Sequence, residues 1–361
     1  MSKQKVTRRE FVRDSAIVAA GVAAGVSAAR AAPTDTKKIL NYNEKMEYRP
    51  CGKTGMITSA VALGGHWKRI EKFAAGEKPG GWLSHDIDNP EFQKNRRDVV
   101  TRCMEVGINH IDACTCSEVK AYALALKGRR DKMHLACSWY EREMRNGEFR
   151  TEKKLLETLD WGLKDAGLDY VDLWRITMHE QSGQHAEGEV DEMMKALAAA
   201  KKQGKVRFTG FSSHDRPHIK GMIEKYPEVV DVVVTPYTAK TKEMPADSLF
   251  ETLAKCQVGF FGIKPFGGNS LFKGTSALDD PNAEEDNKLA RLAIRYILCN
   301  RVITAPIPGL VHPNQVDNVA KAVAERRQLD ATEKAHLDKA MDEAWARLPS
   351  DYQWLKDWEY V

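Results

Sequence analysis

Asp112, Cys114 and Cys116 stand close together directly after the apolar run 108–111, and Cys137 and Ser138 follow the next such run at 133–136. A carboxylate beside two thiols admits two chemistries. The carboxylate can hold or tune a proton-transfer group. The three thiols, completed by a histidine such as His179, have the residue types of a soft-metal or redox centre suited to zinc or copper. A disulfide between Cys114 and Cys116 would be strained across its single intervening residue. Both chemistries compete with a plainer reading, in which small, weakly polar side chains only fill space.

Those residues act together only if the chain brings the ends of several strands to one place. Short apolar runs recur at 60–63, 108–111, 133–136, 171–176, 206–211, 229–234, 258–263 and 302–307. Between them lie segments of helical periodicity, such as 152–166 with Leu155, Leu156, Leu159 and Leu163, and 191–202 with Met193, Met194 and Leu197. Eight strand–helix units without a break in composition predict an α/β fold, a (β/α)8 TIM barrel. A β-hairpin over 48–59, turning at Gly52 and Gly55, precedes it, and an extra helix over 332–347 with an aromatic tail follows. An open dinucleotide-binding sheet would need G-x-G-x-x-G, which Leu63-Gly64-Gly65-His66 does not supply. In a barrel the carboxyl ends of the strands share one mouth. Asp112, Cys114 and Cys116 would then meet Cys137 and Ser138, Thr177 and His179, Ser212 and Ser213, Tyr237, and Lys264.

The first residues read differently. Arg8-Arg9 precedes an uncharged, alanine-rich run over 15–29 and the small-residue exit Ala29-Arg30-Ala31. That pattern predicts a twin-arginine signal over 1–31, too short to span a bilayer, and a periplasmic or otherwise exported product. A polar linker over 32–45 and the barrel over 46–361 would follow. Removing the signal takes away six basic and two acidic side chains, which leaves the remainder of a chain of formal net charge +4 without net charge. The expected partners are therefore the export machinery and a small-molecule substrate, with no nucleic acid and no stable membrane insertion after cleavage. Seven cysteines, an odd number in a large chain, do not form a disulfide framework.

Tyr48-Arg49-Pro50-Cys51-Gly52, Gly107-Ile108-Asn109-His110-Ile111-Asp112, Gly210-Phe211-Ser212-Ser213-His214, Ile263-Lys264-Pro265-Phe266-Gly267-Gly268 and Ile307-Pro308-Gly309 occur in an order and spacing that resembles the aldo-keto reductase family. The resemblance implies a nicotinamide cofactor, NAD or NADP, lying across the barrel mouth, and hydride transfer to a carbonyl with an aspartate, tyrosine, lysine and histidine managing the proton. The aspartate position is Asp112. The loop after it holds no tyrosine, the lysine position is Ser138 and the histidine position is Thr177. The tetrad is thus degraded, and an altered proton donor is expected, with His179, Tyr140 or Tyr122 as stand-ins and Cys114 and Cys116 beside Asp112. There is no cysteine after Cys299, so the iron–sulfur branch of the family does not apply.

For the cofactor the resemblance implies Ser212 and Ser213 near the nicotinamide, Tyr237 stacked on it, Lys264, Pro265, Phe266 and Gly267 along the pyrophosphate, and Pro308, Gly309, Gln315 and Asn318 at the adenosine. The cationic side chains that hold the NADP phosphate in some members are replaced by Gly309, Leu310 and Gln315, which weakens the case for NADP. His66, Trp67 and Trp139 are the expected substrate walls, aromatic surfaces that suit a carbohydrate or a planar carbonyl compound. The expected function is an exported oxidoreductase acting on a carbonyl or hydroxyl substrate; the alternatives are a non-catalytic ligand-binding barrel and a thiol or metal site at Cys114, Cys116 and Cys137.

Overall fold

The computed structural model describes residues 35–65, 87–241, 249–275 and 279–356. The expected signal over 1–31 and the substrate-wall residues His66 and Trp67 lie outside the described residues.

The hairpin pairs β1, Tyr48–Pro50, antiparallel with β2, Ile57–Ser59. Its turn presses on the barrel floor: Gly52 has φ of 53°, and a Cβ there would stand 2.3 Å from the carbonyl oxygen of Gln257. Only glycine meets both demands. Eight parallel strands follow in sequence order: β3 Leu63–Gly64, β4 His110–Ala113, β5 His134–Cys137, β6 Val171–Thr177, β7 Val206–Ser212, β8 Val232–Pro236, β9 Gly259–Ile263 and β10 Ala305–Pro306. The first meets the last through a parallel bridge between Gly64 and Gly309, with Gly64 N–H donating to the Pro308 carbonyl at 2.9 Å. The sheet therefore closes, and the expected (β/α)8 barrel is the observed fold.

Helices surround it: α1 Pro90–Val106, α2 Cys116–Ala125, α3 Glu152–Ala166, α4 Glu187–Lys202, α5 Arg216–Lys225, α6 Leu249–Lys255, α7 Ala283–Ile297, α8 Pro313–Ala324 and the extra α9 Ala331–Ala346. Their ends follow local chemistry. Asn89 caps α1 by accepting from the Glu91 and Phe92 amides, Thr151 caps α3, and Gly107 and Gly167 end those two helices in the left-handed region. Among the described residues no helix is long and apolar enough to cross a membrane. The segment read as a linker is packed from Ile39 onward: Asn41 Nδ2 donates to the Lys132 carbonyl at 2.7 Å and Asn43 Nδ2 to that of Glu105 at 3.1 Å.

Two apolar clusters result. The larger fills the layer between strands and helices, while Cys51, Met56, Ala62, Leu173, Val232 and Phe261 belong to the smaller one inside the barrel. Along β6 the pleat sends Leu173, Arg175 and Thr177 inward and Trp174 and Ile176 toward the helices. All eight strands are buried at their centres, so an inward arginine must find an anion inside.

Candidate active site

That anion is Asp112. Arg175 Nε donates to Oδ1 at 2.7 Å and Nη2 to Oδ2 at 2.5 Å, a two-pronged ion pair in which both side chains are buried. Arg175 Nη1 donates to Thr177 Oγ1 at 3.1 Å and reaches Cys114 Sγ at 3.8 Å. From Thr177 the contacts continue to Ser138 Oγ at 2.7 Å and on to Glu143 Oε2 at 2.5 Å. Ser138 has one hydroxyl hydrogen, and it is given to Glu143. Thr177 must therefore donate to Ser138, and every hydrogen bond from Arg175 to Glu143 runs in one direction.

Glu143 also accepts from the amides of Trp139 at 3.0 Å and Thr177 at 2.7 Å and from the Trp174 indole at 3.0 Å. Burial pushes its carboxyl above the usual range, and these four donors oppose that rise. Burial lowers the Arg175 pKa, but the Asp112 carboxylate and then the Cys114 thiol outweigh it and hold the guanidinium charged. Ser138 and Thr177 are thus the middle of a buried chain with an acid at each end.

Above this floor opens a cavity at the carboxyl ends of the strands. Asp112, Cys114, Arg175, Thr177, Ser212 and Tyr140 line its inner part; Lys264, Pro265, Phe266 and Gly268 line one side; Pro308, Gly309, Asn314, Gln315 and Asn318 lead it toward the start of α8. The tail closes over it. Trp354 stacks on His214 with ring centroids 4.3 Å apart, and Lys264 Nζ stands 5.0 Å from the Tyr352 ring centre. Burial, with the Lys264 and Arg145 charges behind it, keeps His214 well below the ordinary histidine pKa and hence neutral.

The expected site residues divide. Asp112, Cys114, Ser212, Lys264, Pro265, Phe266, Pro308, Gly309, Gln315 and Asn318 share the cavity. Ser213, Tyr237 and Gly267 do not line it. Ser213 Oγ lies 2.7 Å from Ser182 Oγ and 3.3 Å from the Glu180 carbonyl oxygen; the Tyr237 ring packs against Phe250 and Phe260, with its hydroxyl accepting from Asn300; and Gly268 takes the lining position beside Gly267.

His179 also falls outside the lining. β6 ends at Thr177, and beyond it the ring stacks on His185 and meets Arg150 Nη2 at 2.9 Å. Trp139, expected as a substrate wall, is buried against α3, where a Cβ on Gly162 would stand 2.2 Å from the indole. Tyr122 is buried, and its hydroxyl donates to the Gly64 carbonyl at 2.5 Å.

The thiols stay apart in their contacts. Cys116 Sγ meets Glu141 at 3.2 Å, Cys137 is fully buried, and all seven cysteines are free. Among the described residues no three His, Cys, Asp or Glu side chains gather as a metal site. Cys299, two residues past the end of α7, is exposed.

Arg175 and Glu143 were not anticipated from sequence. Arg175 carried a signal, since a charged residue on the inward row of a buried strand requires a partner. Glu143 carried none, because it sits among charged loop residues that look solvated.

The chain belongs to the aldo/keto reductase family, whose sequence profile matches residues 80–342. It is 24% identical to the L-glyceraldehyde 3-phosphate reductase of Escherichia coli K12 over 244 residues, 63% of this chain and 63% of that protein, so it spans less than two thirds of that relative. It is 24% identical to the L-galactose dehydrogenase of Arabidopsis thaliana over 310 residues, 79% of this chain and 90% of that one. Among solved structures, an aldo-keto reductase from Bacillus halodurans in its holo form superposes with a TM-score of 0.59 at 21% identity, covering 82% of this chain and 96% of that one. Its apo form gives 0.54 at the same coverage. At that identity the likeness is one of fold.

Family membership supports a nicotinamide cofactor. The cavity lining runs from Thr177 on the barrel floor to Asn314, Gln315 and Asn318 at the start of α8, and these are the residues that would hold one.

Proposed function

We propose that the chain is an exported oxidoreductase that moves a hydride between a nicotinamide cofactor and a sugar carbonyl or hydroxyl, with Tyr140 in place of the family's proton donor. The observation that carries this reading is the continuous cavity joining the Asp112–Arg175 floor to the α8 start, with Tyr140 on its inner wall. The bound cofactor supplies the hydride; the protein orients the substrate and manages the proton.

Tyr140 is adjacent to the shortened loop, its amide donating to the Cys114 carbonyl at 3.3 Å, and the Arg145 guanidinium lies 5.6 Å from its ring centre. Burial raises the phenol pKa, as do Glu141 and Cys114, so it keeps its proton until substrate charge develops; Arg145 then favours the phenolate. A phenol beside a cation is thereby rebuilt one strand over. The aromatic cover of Tyr352 and Trp354 suits a sugar face, and two relatives are named for sugar substrates. Export rests on the Arg8-Arg9 signal pattern.

Titration of the mature protein with NADH and NADPH, followed by fluorescence, tests the reading. Near the α8 start the lining holds Asp280, Asp286, Asn287, Asn314, Gln315 and Asn318. Gln315 Oε1 is already taken by the Val311 amide at 2.7 Å. With two carboxylates at that end, NADH is expected to bind at least about tenfold more tightly than NADPH, the difference of one charge-assisted contact. No binding of either at millimolar concentration defeats the proposal. With an aldose panel, Tyr140→Phe is expected to lower turnover about 10²-fold or more while leaving NADH affinity unchanged; unchanged turnover removes Tyr140 as the donor.

A further inference from the structure

We propose that Arg175 is the residue that receives the substrate oxygen, a permanently charged replacement for the family's lysine; the inference rests on the oxidoreductase reading above.

A guanidinium has five N–H groups. Arg175 gives two to Asp112 and directs Nη1 to Thr177 and Cys114. One Nη2 hydrogen is left without a protein acceptor among the described residues. The residue is only 2% exposed, and that small surface belongs to the cavity floor. A single unspent donor on a buried, permanently charged group is what an incoming carbonyl oxygen needs.

The network supports this use on both sides. Asp112 fixes the plane of the guanidinium with two parallel hydrogen bonds, and the one-directional run through Thr177 and Ser138 to Glu143 anchors Nη1. Neither contact can be given up cheaply, because both partners of each are buried. The donor is therefore held in place before substrate arrives, which is the condition under which electrostatic stabilisation of a developing oxyanion is strong.

In the reduction, hydride adds to the carbonyl carbon and the C=O π pair moves to oxygen. The resulting alkoxide is stabilised by Arg175 and takes the Tyr140 proton, which solvent later restores. Arg175 itself neither gives nor takes a proton, so it contributes no limb to the pH–rate profile between neutrality and alkaline pH, unlike a lysine.

Cys114 supplies a readout independent of turnover, since its thiol is the cysteine on the cavity lining and lies 3.8 Å from Nη1. An oxyanion seated on Arg175 shields it. The experiment measures Cys114 alkylation by iodoacetamide, read by peptide mass spectrometry, with and without acetate as the oxyanion probe. It is run on the wild type, on R175K and on the double variant D112L/R175M, which removes the pair together so that no carboxylate is stranded.

Acetate is expected to slow alkylation severalfold in the wild type and not in D112L/R175M. With glyceraldehyde and NADH, kcat/KM is expected to fall about 10²–10³-fold in D112L/R175M, the range for loss of one oxyanion donor. R175K is expected to retain part of the rate and to gain an alkaline limb. Equal acetate protection in wild type and double variant, or none in either, overturns the assignment whether or not NADH binds. Failure of NADH to bind defeats the oxidoreductase reading and leaves the acetate result to judge Arg175 alone.

Discussion

Arg175→Met is expected to destabilise the protein by about 3–5 kcal/mol, the cost of leaving one charge of a buried pair without its partner. Asp112 and Arg175 are 4% and 2% exposed, and both carboxylate oxygens accept from the guanidinium. Removing the cation leaves the carboxylate buried at the cavity floor without its counter-charge. D112L/R175M is expected to recover most of the loss, since replacing both partners of a buried pair with apolar side chains of similar volume is often neutral. Urea unfolding with matched m-values measures both. A loss below about 1 kcal/mol in the single variant would mean that the pair is solvated and the network is not what fixes the floor.

His110→Leu is expected to act in the opposite direction. His110 is fully buried inside the barrel, stacked on Phe261 with centroids 4.3 Å apart, and among the described residues neither ring nitrogen has a hydrogen-bond partner. Burial, then the neighbouring His134, depresses its pKa from 6.5 to about 3. The sign follows directly. Between those values the unfolded chain binds a proton that the folded chain refuses, so this group's contribution is intact above about pH 6.5 and lost as the pH falls toward 3. The loss reaches about 3 kcal/mol at pH 4.5, two pH units below the unfolded value. Leucine removes this dependence and the two unsatisfied nitrogens together, so the variant should be more stable at pH 7 and its advantage should widen in acid. Chemical denaturation at pH 7.5 and pH 4.5 checks it; a variant that is less stable at both would show that the imidazole has a partner.

How far the site could be read from sequence depended on the kind of signal each residue carried. The barrel was legible because an apolar run marks every strand: 171–176 and 206–211 agree closely with Val171–Thr177 and Val206–Ser212, whereas 60–63 meets Leu63–Gly64 only at Leu63 and 302–307 is longer than Ala305–Pro306. The hairpin was legible from Gly52 and Gly55, and 152–166 matched α3 at both ends because Thr151 and Gly167 cap it. The strand-end rule then placed Asp112, Ser212 and Lys264 on one cavity, and the family resemblance placed Gln315 there. It failed where the chain turns after a strand. His179 lies just two residues past Thr177, yet its ring is held by Arg150 and His185. Trp139 turns outward because Gly162, distant in sequence, leaves room for an indole. Arg175 was concealed by its neighbours: Val-Asp-Leu-Trp-Arg-Ile-Thr reads as one apolar run, although alternation puts the arginine on the same inward row as Leu173 and Thr177. Arg175 and Glu143 are joined through Thr177 and Ser138, a connection visible only when the strands are side by side.

A crystal structure of the protein with NADH is expected to show the pyrophosphate along Lys264, Pro265 and Phe266, the adenosine near Gln315 and Asn318, and the nicotinamide C4 facing the floor formed by Arg175, Cys114 and Thr177, with the Tyr140 hydroxyl within reach of a substrate oxygen. A dinucleotide bound elsewhere, or a nicotinamide turned away from Arg175 with the Asp112 pair dissolved, would contradict the proposed function.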